Sequence, residues 1–282
     1  MSELLLGEVE AIVLRRIAAA RRVFCFLDYD GTLASLAPTP DSVTPFRDTP
    51  ALLRQLAAAP GTDVALVTGR TISDLRRQLS VPSAYYVGVH GFEVSCSGSV
   101  VEISSEAAAV RSMIPAIKQQ LEDALGARLG ILIEDKGIAL ACHYRLAAPA
   151  DAAAARAAVT AMAESYQRGG LPITARHGHA VVELLPTGVT KGKMSCVLLS
   201  MHAPSALAVY IGDDATDEDA FNALPADAIT VRVGTSAVPT AARYRVNDPC
   251  AVHRFLYAVL NCRQAGPHTP HLADWRNQRQ AQ

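Results

Sequence analysis

Neither sign of charge dominates this sequence, and no apolar run in it is long enough to span a bilayer. The 26 Lys and Arg residues stand against 27 Asp and Glu, a formal net charge of −1. The basic face that a nucleic-acid or membrane-surface protein needs is therefore missing. The opening stretch, MSELLLGEVEAIVLRRIAAARR, has Glu3, Glu8 and Glu10 where a signal peptide would be basic. It reads as a soluble amphipathic helix, and the expected location is cytoplasmic. The six cysteines, Cys25, Cys96, Cys142, Cys196, Cys250 and Cys262, include no CxxC pair. Scattered mostly through apolar stretches, they read as reduced core thiols rather than as disulfides or a zinc site. Several catalytic motifs are absent as well. No GxGxxG follows a strand, and there is no Ser nucleophile elbow. GVTKGKM fails as a P-loop, with three residues between its glycines and Met194 in place of Ser or Thr. DYDGT fails as an EF-hand, because Thr32 and Leu33 stand where that loop needs an acid or Asn and a Gly.

What is present is organised around VFCFLDYDGT, Val23 to Thr32. Five apolar residues run straight into Asp28, as in a strand buried on both faces. Asp30 follows two positions on, and Gly31-Thr32 lets the chain turn and bring backbone N–H groups near an anion. Asp-Gly is also ordinary turn chemistry. In an open α/β sheet, however, ligands bind beyond the carboxyl ends of the strands, where both acids would lie.

The chain of 282 residues is half hydrophobic, long for one domain and comfortable for two. A Pro-rich loop, Pro38 to Pro50, precedes a helix near Ala51 to Ala59 that Pro60-Gly61 stops. Val64 to Val67 reads as a strand, and Thr68-Gly69-Arg70 as the turn feeding a helix from Ser73. There Thr68 could offer its hydroxyl and its backbone N–H to a phosphate oxygen, or merely help the turn. A third strand near Tyr85 to Val89 ends in His90-Gly91, with a hairpin around Gly98. This alternation predicts an α/β fold with a doubly wound parallel sheet. From Ser105 the order becomes helix, strand, strand, twice over, an α+β module inserted into the first domain. The expected division is a core of residues 1–104 and 188–282 and an insert of residues 105–187.

Strand and helix alternation then resumes. Thr190 reads as the N-cap of a helix whose first turn holds Lys191 and Lys193. The helix dipole disfavours cations there by a few tenths of a kcal/mol to about one. Lys191 is thus either an anion ligand or a solvated lysine that tolerates the small penalty. LAVYIGDDATDEDAF repeats the opening theme, a strand delivering Gly212, Asp213 and Asp214. An acidic first helical turn accounts for Asp217, Glu218 and Asp219, but not for two acids at a strand's end. Strands near 229–233 and 243–246 and a helix near 251–262 complete the domain. Residues after Gly266 are polar and read as a frayed end, with His268 and His271 solvated.

Asp28, Asp30, Thr68, Lys191 and Asp213 thus gather at strand ends and helix starts. Carboxylates without His or Cys favour a hard cation, and Mg²⁺ fits best. Such a site handles phosphoryl groups, with Mg²⁺ and Lys191 neutralising charge while one carboxylate attacks phosphorus in line. An aspartyl-phosphate is the expected intermediate.

The sequence resembles the haloacid dehalogenase superfamily through DYDGT, VTGR (Val67 to Arg70), the lysine of TKGK and GDDATDE (Gly212 to Glu218), in that order. Within it, GVHGFE, EDKGIALACHYR, VVELLPTG and GDDATDEDAF resemble the trehalose-6-phosphate phosphatases, over roughly Phe24 to Leu260. The resemblance implies Asp28 as nucleophile and Asp30 as acid/base. It implies Asp28, the Asp30 carbonyl and Asp213 as Mg²⁺ ligands, with Asp214 supporting the metal or Lys191 from behind and Asp217 nearby. Thr68, Gly69 and Lys191 would bind phosphate. Arg70, His90, Glu134, Lys136, Arg145, His179 and Glu183 would face the substrate, the inserted module closing as a cap that reads the sugar. The family commonly has Lys where this chain has His179, so recognition there could depend on pH. An acid at position 30, where long-lived phosphoryl-enzymes of the superfamily carry Thr, implies hydrolysis. To protonate the sugar oxygen, Asp30 would need a pKa above its unperturbed value of roughly 3.9. The implied substrate is trehalose 6-phosphate, supplied by a separate synthase. The competing readings are a phosphatase or mutase acting on another sugar phosphate, and a catalytically silent sugar-phosphate-binding domain.

Overall fold

The computed structural model describes residues 4–96, 99–102, 105–178, 180–235 and 238–265. In chain order, β1 (Leu4–Leu5) and α1 (Leu6–Ala19) lead into β2 (Val23–Asp28), α2 (Thr49–Ala58), β3 (Thr62–Val67), α3 (Ile72–Gln78) and β4 (Tyr85–Gly88). The hairpin strands β5 (Glu93–Cys96) and β6 (Ser99–Glu102) follow; the turn expected at Gly98 lies outside the described residues. Next come α4 (Ser105–Leu125), β7 (Leu132–Asp135), β8 (Leu140–His143), α5 (Pro149–Arg168), β9 (Ile173–Gly178) and β10 (Val181–Pro186). The chain continues with α6 (Lys191–His202), β11 (Leu207–Gly212), α7 (Ala215–Ala223), β12 (Ile229–Val233), β13 (Tyr244–Val246) and α8 (Pro249–Ala265).

These strands form two sheets. The larger has the order β1-β13-β12-β11-β2-β3-β4-β5-β6 and is parallel except where β5 and β6 join. The run Val23 to Leu27 takes its central position because the side chains of a strand alternate faces and both faces here are covered. Val23, Cys25 and Leu27 pack with residues of α1, α2 and α8, whereas Phe24 and Phe26 pack with residues of α6 and α7. The two Phe rings stack at 4.3 Å. Helices on each face and parallel strands between them bring every βα turn to one edge of the sheet.

The smaller sheet, ordered β7-β8-β10-β9 and antiparallel throughout, lies between β6 and α6 in the chain. Leu140, Cys142, Val182 and Leu184 pack under α4 and α5. The opposite face carries a cross-strand row of Glu134, Ala141, Glu183 and Arg176. Among the described residues no helix is long and apolar enough to cross a membrane. All six cysteines are free, but only Cys25 and Cys142 are buried, and Cys250 is exposed. The reading as core thiols therefore holds fully for those two, while Cys96 and Cys196 are partly buried against the core.

Arg263 is 8 % exposed. It donates to the carbonyls of Ile17 (3.0 Å), Ala20 (2.7 Å) and Pro60 (2.8 Å) and to Thr62 Oγ1 (3.1 Å). It thereby satisfies carbonyls that the end of α1 leaves open and ties that end to the β2–β3 connection and α8. Arg263→Met should lower stability by at least about 2 kcal/mol, since each buried acceptor left unpaired costs about 1–3 kcal/mol. Urea unfolding would show this as a lower midpoint at an unchanged slope.

Candidate active site

Residues from separate strand ends converge beyond the carboxyl edge of the large sheet. β2 ends on Asp28, which is 3 % exposed, and Asp213 follows the last residue of the neighbouring β11. Thr190 caps α6, accepting the Lys193 N–H, and so places Lys191 at the first helical position. Lys191 is buried. Its Nζ donates to Asp28 Oδ1 at 2.7 Å and to Asp217 Oδ1 at 2.9 Å. Asp217 Oδ1 also accepts the Tyr210 hydroxyl at 2.8 Å, and its Oδ2 accepts the Asp214 N–H at 3.0 Å. Support for Lys191 thus comes from Asp217. Of the two supports expected of Asp214, for the metal or for Lys191, the second is corrected, because Asp214 is the N-cap of α7 and turns its carboxylate to the Ala215 N–H.

Burial works against the Lys191 ammonium, but Asp217 and Asp28 outweigh it and raise its pKa. Burial also pushes Asp28 up to about 7, with Lys191 pulling down and Asp217 pushing up. Asp213 is raised well above the usual carboxylate range, first by burial and then by Asp28 and Asp217. Three acids therefore crowd a single ammonium. Asp28, Asp213 and Asp217 each offer an oxygen, all within 4.8 Å of one another, and Asp213 Oδ1 is buried without a hydrogen-bond partner. An all-oxygen cluster with excess negative charge and an unsatisfied acceptor fits a hard divalent cation. The Asp30 carboxylate does not join it. Arg70 grips both its oxygens, Nη2 to Oδ1 at 2.7 Å and Nε to Oδ2 at 2.8 Å, while Arg70 Nη1 reaches Asp74 at 2.8 Å.

Thr68 is buried, with its N–H donating to the Val87 carbonyl at 2.9 Å and its hydroxyl accepting the Arg70 N–H at 3.1 Å. The expectation that this N–H serves a phosphate is therefore corrected: the pairing of β3 with β4 runs one residue further than the apolar run suggests. The hydroxyl proton remains available. Gly69, Arg70, His90, Glu134, Lys136, Arg145, Glu183 and Lys191 share one pocket with Asp28, Asp30, Asp213 and Asp214. His179 lies outside the described residues. The sequence pattern did not single out Pro38 and Val43 of the Pro-rich loop, Leu36 just before it, Thr216, or His143, all of which line this pocket. His143 Nε2 lies 2.8 Å from Glu134 Oε2. Burial would raise the pKa of Glu134, but His143 and then Lys136 hold it down. The period of two along β8 carried the signal for His143, since it falls on the face opposite Leu140 and Cys142.

The sequence model of the trehalose-phosphatase family matches residues 26–250. The chain belongs to that family. The trehalose-phosphate phosphatase of Mycobacterium marinum is 34% identical over 240 residues, 82% of this chain and 59% of that protein. The chain thus spans somewhat under two thirds of that relative's length. The solved trehalose-6-phosphate phosphatase of Aspergillus fumigatus is 27% identical, covers 92% of this chain and 99% of its own, and superposes with a TM-score of 0.65. The C-terminal domain of the C. albicans trehalose-6-phosphate phosphatase, at 21% identity, 92% and 98% coverage and a TM-score of 0.81, speaks for the shared fold. That fold is the haloacid dehalogenase type expected from the motifs.

Gly31 tests the acidic cluster. Its φ is +80°, and a Cβ there would come to 2.1 Å from Asp213 Oδ2. Gly31→Ala should lose about 1–2 kcal/mol to the left-handed backbone alone. It should also push Asp213 aside, so that stabilisation by a divalent cation, followed as the thermal midpoint against metal concentration, needs about tenfold more metal.

Proposed function

We propose that this chain is a Mg²⁺-dependent phosphatase that hydrolyses trehalose 6-phosphate to trehalose and phosphate through an aspartyl-phosphate on Asp28. The observation that carries the reading is the shared pocket: the buried Asp28–Lys191 pair opens into the same space as the polar face of the smaller sheet. On this reading residues 1–104 and 188–282 are the catalytic core, and residues 105–187 are a cap that holds the sugar and shields the phosphoryl group from bulk water.

Asp28 attacks phosphorus in line, and the bond from phosphorus to the sugar oxygen breaks as the Asp30 carboxyl delivers its proton to that oxygen. Water then attacks the phosphoryl-aspartate, Asp30 takes up its proton, and the bond from phosphorus to Asp28 breaks to release phosphate. Lys191 fixes Asp28 Oδ1 and adds positive charge beside the phosphoryl oxygens. Arg70 aims Asp30 by holding both its oxygens, so the pair must open on the oxygen that carries the proton. Asp28, Asp213 and the Asp30 carbonyl would hold Mg²⁺, which would supply further neutralisation of the phosphoryl charge. The Thr68 hydroxyl and the Gly69 backbone bind the phosphate. On the cap, Glu134, oriented by His143, and Arg145 offer the acceptor and donors that sugar hydroxyls require, beside Lys136 and Glu183. The free thiols suit a reducing cytoplasm. There the enzyme would act after a separate synthase, in the last step of trehalose biosynthesis.

The purified chain, assayed against a panel of sugar phosphates, should prefer trehalose 6-phosphate and lose activity when a chelator removes the metal. Asp28→Asn should abolish turnover while leaving the thermal midpoint within a few degrees. Preference for another sugar phosphate would overturn the substrate, and binding without turnover would favour the silent domain. A hydrogen bond to a charged group is worth about 1.5–3 kcal/mol. Arg145→Ala or Glu134→Ala should therefore lower kcat/KM on trehalose 6-phosphate by about tenfold to somewhat over a hundredfold, with a far smaller effect on a small aryl phosphate that reaches only the core.

A further inference from the structure

Three consecutive carbonyls in the turn after β3 are each held by a donor, and the donors come from both sheets. The Thr68 carbonyl accepts the His90 N–H at 3.0 Å, and the Arg70 carbonyl accepts the Val89 N–H at 2.8 Å. Between them the Gly69 carbonyl accepts Lys136 Nζ at 2.8 Å, from the β7–β8 connection of the smaller sheet. Lys136 Nζ also donates to Glu183 Oε1 at 2.6 Å, and Glu183 Oε2 lies 2.5 Å from His90 Nε2. The path therefore runs from the turn up through Lys136 and Glu183 and back down through His90 to the segment that grips the same turn. It closes on itself. A Cβ on Gly69 would meet the His90 ring at 2.8 Å, so the imidazole lies directly against the turn.

The loop of contacts is largely buried. The side chains of His90, Lys136 and Glu183 are 6 %, 7 % and 8 % exposed. Burial opposes the Glu183 charge, but His90 and Lys136 hold its pKa well below the usual range. Burial likewise disfavours protonated His90, which fits a neutral ring donating through Nε2 while its buried Nδ1 has no partner. Val89 and His90 adopt φ of +45° and +57°. Side chains rarely take up that region, and such strain persists where its surroundings over-determine it. Here it lets two successive N–H groups wrap the turn.

We propose that Lys136, Glu183 and His90 are positioning residues through which the cap completes the phosphate site. By taking the Gly69 carbonyl, the cap fixes the last free carbonyl of the turn and so sets the Thr68 hydroxyl and the Gly69 backbone that face the phosphate. Core and cap are then coupled: without the cap in place, the turn is held at two carbonyls of three. This inference rests on the reading of the site as a phosphatase and assigns Lys136 a task beyond contact with the sugar.

The test uses the whole protein with p-nitrophenyl phosphate, which has no sugar for the cap to read. Lys136→Met should lower kcat for this substrate by about tenfold or more with KM changed less than about threefold, and Lys136→Arg, which keeps a donor, should recover part of the loss. His90→Phe should shift kcat in the same direction. Amide hydrogen exchange at residues 68–70 should quicken in Lys136→Met while the strand β2 keeps its protection, which separates a loosened turn from a loss of fold. Wild-type kcat on p-nitrophenyl phosphate together with unchanged exchange at the turn would overturn the proposal and leave Lys136 as a sugar ligand alone. A wild-type enzyme that cleaves p-nitrophenyl phosphate but not trehalose 6-phosphate would refute the substrate and leave this coupling to be decided by the same kcat comparison. Were neither hydrolysed, the phosphatase reading would fail and the exchange at residues 68–70 would still decide whether the cap fixes the turn.

Discussion

The buried ammonium of Lys191 between Asp28 and Asp217 is the interaction on which the rest of the site depends. An ion taken out of water is stable only where opposite charges and hydrogen bonds replace its hydration. Lys191 has two carboxylates within 2.9 Å to do so. That pairing accounts for a lysine in the first turn of α6, against a helix dipole whose effect reaches at most about 2 kcal/mol, because two carboxylates lie within hydrogen-bond distance of its Nζ. It also explains why Asp217 is fully buried although it belongs to an acidic helical start that could have stood in water. Tyr210 and the Asp214 N–H take up the remaining capacity of Asp217. What this arrangement does not pair is Asp213, whose buried Oδ1 has no hydrogen-bond partner.

A second constraint sits above the first. The smaller sheet places Glu134, Glu183 and Arg176 in one row because antiparallel register puts residues of equal parity on one face. The row meets the core at two points, through Glu183 and Lys136 on one side and through Arg176, 3.5 Å from Asp219 of α7, on the other. The polar face therefore both walls the pocket and fastens to the turn beneath it.

The strands that deliver Asp28 and Asp213 were legible because an uninterrupted apolar run ending in an acid suits a strand buried in a parallel sheet and little else. The helix-strand-strand repeat of residues 105–187 was equally plain from its periodicity. Contacts between distant segments were not. Which of Asp214 and Asp217 reaches Lys191 depends on where α7 begins, a matter of one residue that the run DDATDED leaves open. The Thr68 N–H was misjudged for the same reason, since the end of a β ladder is set by its partner strand. The bond from Lys136 to the Gly69 carbonyl spans 67 positions and leaves no local trace. His143 was hidden in a different way, as one residue of an alternating strand whose polar face could not be told from a solvated one.

The central claim is that Asp28, held by Lys191, takes the phosphoryl group. Acid-quenched mass spectrometry of Asp30→Asn after mixing with trehalose 6-phosphate and Mg²⁺ tests it most directly, because loss of the base that activates water should let the intermediate accumulate. A phosphate adduct confined to the peptide that contains Asp28 is the expected result. An adduct on any other side chain would contradict it.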